Sequence, residues 1–139
     1  VERRFKMNIK KRVVLISAEL KGLSDAENSE RSVKLGAHLT SMGLKFSRAL
    51  GSYKGTCEKS FIVDASEDII GKLKVTADWF KQESILVVQD DESRSASLHF
   101  IDTGKVQKIG SIVPLTALEA SKEENWTLDL TQNLYFGVK

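Results

Sequence analysis

The residues best equipped for chemistry lie in one stretch, Gly51-Ser52-Tyr53-Lys54-Gly55-Thr56-Cys57-Glu58-Lys59-Ser60-Phe61. Glycines at both ends of its first turn allow close backbone approach to a ligand, and a phenol, hydroxyls and a carboxylate follow within a few positions. That pattern reads as a small-molecule cradle, although the same composition also suits a glycine turn carrying solvated polar groups. Two other places share its character. Ser17-Ala18-Glu19 sets small and polar residues at the end of an apolar run, where a strand end meets a ligand at a sheet edge or where Glu19 simply ends in solvent. Asn28 and Arg31 stand three apart, so on a helix they project from one face, toward a ligand or as a tie between helix and loop.

Most familiar catalytic sets are missing. There is no G-x-S-x-G elbow, no G-x-x-x-x-G-K-[ST] phosphate loop and no G-x-G-x-x-G fingerprint, which removes support for acyl transfer, P-loop chemistry and dinucleotide binding. Cys57 is the only cysteine, so an intrachain disulfide and multi-cysteine zinc motifs are excluded; it reads as a small core or near-core residue. His38 and His99 are far apart, lie outside any H-E-x-x-H pattern and read as structural, so no metal site is expected.

The elements that must position these residues follow from periodicity. Arg12 to Leu20, RVVLISAEL, reads as a buried strand. Ser24-Asp25-Ala26-Glu27 is an S-x-x-E capping box, predicting a helix from about Asp25 to Met42 that Gly43 ends. Leu44 to Ser52 and Glu58 to Asp64 are strand-like. Asp64 or Ser66 then caps a helix through Lys81, with Ile69, Leu73, Ala77 and Phe80 on one face. Ser84 to Gln89 and Ala96 to Ile101 form a hairpin. Lys105 to Val113 adds an edge strand before Pro114, and alternating Trp126, Leu128 and Leu130 suit a strand that closes an open edge.

The order strand, helix, strand, strand, helix, strand predicts an α+β, ferredoxin-like split β-α-β antiparallel sheet, with two helices on one face and extra C-terminal strands. Such a sheet leaves its other face bare unless the C-terminal segment or a partner subunit covers it, so oligomerisation is expected.

With 139 residues, 41% of them hydrophobic, 29% charged and one proline, the chain has the composition of one folded domain. The expected division is a basic N-terminal tail over 1–11 and a single domain over 12–139. Lys and Arg exceed Asp and Glu by two, and six of the basic residues fall within the first twelve positions. Beyond that tail the chain is slightly acidic, which argues against nucleic-acid binding. No apolar run approaches the roughly 20 residues that cross a bilayer, and the start lacks a signal-peptide core. A cytoplasmic protein without a membrane partner is the expectation.

I-S-A at 16–18, N-x-x-R at 28–31, the glycine turn before Glu58-Lys59-Ser60, and W-F-K-Q-E-S-I-L-V-V at 79–88 resemble the phage-encoded S-adenosylmethionine-degrading enzymes. These are anti-restriction proteins formerly called hydrolases and better described as lyases. The resemblance spans approximately residues 12–110 and is dispersed. It implies cleavage of S-adenosylmethionine as substrate, with no further cofactor, in a homotrimer whose sites lie between subunits. Glu58 takes the place of the family's acidic residue, and Ser17 and Ala18 that of its small residues ending the first strand. Tyr53 joins Glu58 as a catalytic candidate, although the spacing of aromatic and glycine residues there departs from the phage pattern. Glu19, Asn28, Arg31, Gly55 and Ser60 complete the substrate-binding set. Hydrolysis of the same sulfonium, or a non-catalytic metabolite-binding or protein-interaction module, are the competing readings.

Overall fold

Alternation along the first strand, β1 (Val13–Ile16), sets the architecture. All four residues are buried, yet successive side chains leave opposite faces of a strand, so two apolar surfaces must meet it. Val14 and Ile16 join a cluster with Leu35, Leu39, Ile70, Leu73 and Ala77, which come from two helices. Val13 and Leu15 join a cluster built from strands alone, with Ala49, Ile62, Val88, Ala96, Ile112 and Phe136. The first surface is helix on sheet, and the second is the inside of a barrel.

The computed structural model describes residues 11–53 and 55–139. Nearly all of the expected basic tail, and Lys54 of the polar stretch, lie outside the described residues. After β1 come α1 (Asp25–Ser41), β2 (Phe46–Tyr53), β3 (Thr56–Asp64), α2 (Glu67–Trp79), β4 (Ser84–Val88), β5 (Ser95–Phe100), β6 (Val106–Leu115), α3 (Ala117–Ser121), β7 (Trp126–Asp129) and β8 (Leu134–Val138). Among the described residues these eight strands close into one barrel in the order β1-β3-β2-β7-β8-β6-β5-β4. Every neighbouring pair is antiparallel, including β4 with β1.

The closed barrel overturns the expected ferredoxin-like sheet. Strands β4, β1, β3 and β2 lie side by side, and α1 and α2 pack on the outside of the β4-β1-β3 wall. The sheet does not stop at β2 and β4, however, because β5 to β8 carry it round and join its edges. The face expected to stand bare is the lumen, filled by the strand cluster, so the geometric ground for expecting a partner subunit falls away.

The strand expected to end before Pro114 runs through it to Leu115. Ser111 and Lys139 exchange two backbone bonds, at 2.8 and 2.9 Å. Bonded and non-bonded pairs alternate along an antiparallel ladder, so Pro114, opposite Phe136, has its nitrogen turned away from β8. On that other side β5 has already ended, its last pair being Ser95 with Ser111. Proline therefore removes no ladder bond, and β6 bridges from β5 to β8 and completes the wall.

Local signals at the helix ends behave as their chemistry requires. Glu27 N–H donates to Ser24 Oγ and Ser24 N–H to Glu27 Oε1, both at 3.1 Å. Gly43, at φ +72°, takes the left-handed turn after α1. Ser66 is the N-cap of α2 without a side-chain cap bond. At the other end of α2, Lys81 takes φ 58° and Gln82 N–H donates back to Ala77 O at 2.9 Å. That reversal brings Gln82 toward the end of β1.

Candidate active site

Strand parity places a polar mouth on an apolar lumen. Ile62 lies in the lumen cluster, so Ser60 and Glu58, two and four residues earlier on β3, face the same way. Ala49 fixes the same side for Gly51 and Tyr53 on β2. Register sets Glu58 opposite Gly51 and Ser60 opposite Ala49, and Gly51 in turn opposite Thr127. A Cβ added at Gly51 would meet Glu58 O and Trp126 O at 3.9 Å, ordinary van der Waals contact, so the absent side chain leaves bare backbone opposite Glu58 without being demanded by crowding. On β1, Val13 and Leu15 point inward and Ser17 continues that side. Ala18, fully buried, belongs to the outer cluster beneath the helices.

Past Ile16 side chains take over from the β1-β3 ladder. Ser17 Oγ donates to Lys59 O at 2.8 Å and accepts from Glu19 N–H at 3.1 Å. Lys59 N–H donates to Glu19 Oε1 at 3.1 Å. The Glu19 carboxylate therefore sits on the backbone of the residue next to Glu58. Lys59 itself points outward, its ammonium 3.3 Å from Ser29 Oγ on α1.

The loop that carries Glu19 is fastened from several directions. Asn28 grips Leu20 twice, accepting from its N–H at 2.9 Å and donating to its carbonyl at 3.1 Å. Arg31 donates through Nε to Ala18 O at 2.6 Å and through Nη2 to Phe80 O. Its guanidinium also lies over the Phe80 ring, 5.5 Å from the centroid. Gln82 Nε2 donates to Glu19 O at 3.0 Å.

Partial desolvation, and then the neighbouring Glu19 carboxylate, push the Glu58 pKa above the ordinary glutamate range. The side chain is nevertheless exposed at the mouth, so the shift marks a crowded rim and not a sealed pocket. Tyr53 stands at the hairpin tip opposite Thr56, 59% exposed. Gly55 makes the tip turn at φ +81°.

The structure thus gathers Ser17, Glu19, Glu58 and Ser60 at one mouth, with Tyr53 and Gly55 on the hairpin above it. Asn28 and Arg31 lie close by, with the bonds above directed to loop backbone. Cys57 departs from expectation: it is exposed, on the outward side of β3. Its strand projects past the end of β1, where no helix side chain covers it. Among the described residues no three His, Cys, Asp or Glu side chains converge as metal ligands would. None of the helices there is long and apolar enough to cross a membrane.

Sequence reasoning did not single out Ser29, and it named Lys59 within the polar stretch and Phe80 and Gln82 within the 79–88 motif without giving them a place at this mouth. Their bonds to it span 30 to 63 residues of chain or pass through a main-chain carbonyl, and neither leaves a mark in local spacing. The T-x-x-E box that starts α3, Thr116 with Glu119, was a readable signal for that helix.

A search of curated proteins returned no match. A family model does match, over residues 14–139, from the second residue of β1 to the last residue of the chain. That span takes in the whole polar mouth and all but the first residue of the barrel, so the chain belongs to the S-adenosylmethionine lyase family.

Proposed function

We propose that the polar mouth cleaves S-adenosylmethionine to 5'-methylthioadenosine and homoserine lactone. One observation carries this within the family chemistry: a carboxylate, Glu58, stands opposite the side-chain-free backbone of Gly51, with the second carboxylate Glu19 held at its side on the Lys59 N–H. The pair suits a cationic, ribose-bearing ligand.

The substrate brings its own reactants. Its methionine carboxylate attacks the γ carbon, the carbon-sulfur bond breaks, and the electron pair leaves on sulfur as a neutral thioether. The sulfonium and carboxylate charges vanish together, and no water is consumed. A protein that holds the folded conformer gains effective molarities on the order of 10⁵ to 10⁸ M for such an intramolecular step. A protein carboxylate placed against the sulfonium would favour the ground state over the transition state. Glu58 is therefore assigned to the ribose hydroxyls or the ammonium group as an anchor, with Tyr53 closing over the reacting end. Ser60 and the backbone at Gly55 line the cradle, with Ser17 fixing the chain beneath it; Ala18 sits behind it, under the helices. Asn28 and Arg31 act on it through the loop they hold.

The mouth is open in one chain, and charge neutralisation is favoured where water is excluded. A homotrimer with composite sites supplies that cover; light scattering that finds only monomer under assay conditions contradicts it. Lowering the S-adenosylmethionine pool is the basis for the restriction-evading role. Product analysis in labelled water separates the lyase from the hydrolase, in which Glu58 acts as a base toward water. Unlabelled homoserine lactone appearing before homoserine supports the lyase, and label entering the first-formed product at the γ carbon overturns it.

A further inference from the structure

Three consecutive carbonyls after β1 accept from side chains: Ala18 from Arg31 at 2.6 Å, Glu19 from Gln82 at 3.0 Å and Leu20 from Asn28 at 3.1 Å. Gln82 differs from the other two in origin, because it arrives from beyond α2 on the left-handed turn at Lys81. Its amide also reaches toward Phe80 O at 3.4 Å, the carbonyl to which Arg31 donates. Arg31 and Gln82 are therefore two parallel ties between the segment after β1 and the end of α2.

Glu19 lies at the centre of these ties. Its N–H is held by Ser17 Oγ, its carbonyl by Gln82 and its carboxylate by Lys59 N–H. Removing the tie at the carbonyl leaves the Glu19–Leu20 peptide held on one side only, by Leu20 N–H on Asn28 Oδ1. The slackened segment lets the Glu19 carboxylate move off the Lys59 N–H toward solvent. We propose that Gln82 is a positioning residue of the site: by holding the Glu19 carbonyl, it keeps the Glu19 carboxylate on the Lys59 N–H, beside Glu58. This rests on the lyase reading for its catalytic consequence. A merely structural Gln82 would finish the end of α2 and affect melting alone.

The test uses the full chain. Gln82→Met keeps side-chain length and removes the donor; Gln82→His restores an N–H and is assayed at about pH 8, where the ring is neutral. Turnover of S-adenosylmethionine and the carboxyl NMR titration of Glu58 are both read. The expected result is a loss of about five- to tenfold in kcat/KM for Gln82→Met, the size of one hydrogen bond. Glu58 should then titrate nearer the ordinary range, and Gln82→His should recover most of the turnover. Unchanged Glu58 titration or unchanged turnover in folded Gln82→Met overturns the proposal. So does a loss that Gln82→His fails to recover, or failure of both variants to fold. Should the wild type release no methylthioadenosine, the lyase reading fails by itself, and the Glu58 titration alone then decides whether Gln82 positions Glu19.

Discussion

The two ends of the barrel hold their polar groups in different ways. Where β1 begins, hairpins tie themselves: Asp91 accepts from Ser93 and Ser95, and Asp129 from Thr131 and Gln132, all within four residues. Arg94, 4% exposed, adds bonds to Gln89 O and to the more distant Lys11 O. The start of β1 also has long-range ties of its own, Arg12 Nε to Gln89 Oε1 at 2.9 Å and the ion pairs Lys11–Asp64 and Arg12–Glu67. Where β1 ends, the ties join distant elements: Ser17 to Lys59, Arg31 to Phe80 and Gln82 to Glu19. Local ties of this kind finish a turn. What sets the mouth apart is that its long-range ties bring four segments together and hold the Glu19 carboxylate beside Glu58, whose pKa is raised by burial and then by that like charge.

That contrast predicts opposite outcomes for acidic residues at the two ends. Glu58→Ala should lower turnover by more than about a hundredfold, with Glu58→Gln between about ten- and a hundredfold, the loss of a charge-assisted hydrogen bond of about 1.5 to 3 kcal/mol. Neither should lower the melting temperature at neutral pH. Because the folded protein raises the Glu58 pKa, this carboxyl favours the fold when protonated and opposes it once pH rises through the raised value. A thermal melt and a turnover assay on the same sample check both halves.

Asp129→Ala should do the reverse. Asp129 is 4% exposed and satisfies two backbone N–H groups and the Gln132 amide. Its loss should destabilise by about 1 to 3 kcal/mol, with turnover unchanged below the melting range. Denaturant titration gives the first number, and a fall in turnover beyond the unfolded fraction breaks the comparison.

The smallest effect is in pH dependence. An ionised Glu58 anchor makes turnover rise with pH through its raised pKa, so the acid limb should lie above the ordinary glutamate range. Glu19→Gln keeps an acceptor for Lys59 N–H and removes the like charge. It should move that limb to lower pH, leaving the contribution of burial in place. A pH profile of kcat/KM that does not move assigns the limb to another group.

Legibility in the sequence divides along the same line. The capping box at Ser24 and Glu27, the turn at Gly43 and the apolar face of α2 are local, and each was readable from spacing. Barrel closure was not, because it depends on which edges β6 and β8 find, and Pro114 resembled a strand end until the early finish of β5 removed its penalty. At the site, the parity of Glu58 and Ser60 was implicit in strand alternation, whereas Ser17 and Glu19 lie past the last residue of β1 and are placed by side-chain bonds, and Gln82 enters through one bond across 63 residues.

The most direct measurement follows methylthioadenosine and homoserine lactone over time with S-adenosylmethionine, in wild type and Glu58→Ala side by side. The expected result is release of both products by the wild type, lactone preceding homoserine, and near loss of release by a Glu58→Ala protein with the same melting temperature. Wild-type rates in that variant, or no methylthioadenosine from the folded wild type, would contradict the assignment of the barrel mouth as the site of cleavage.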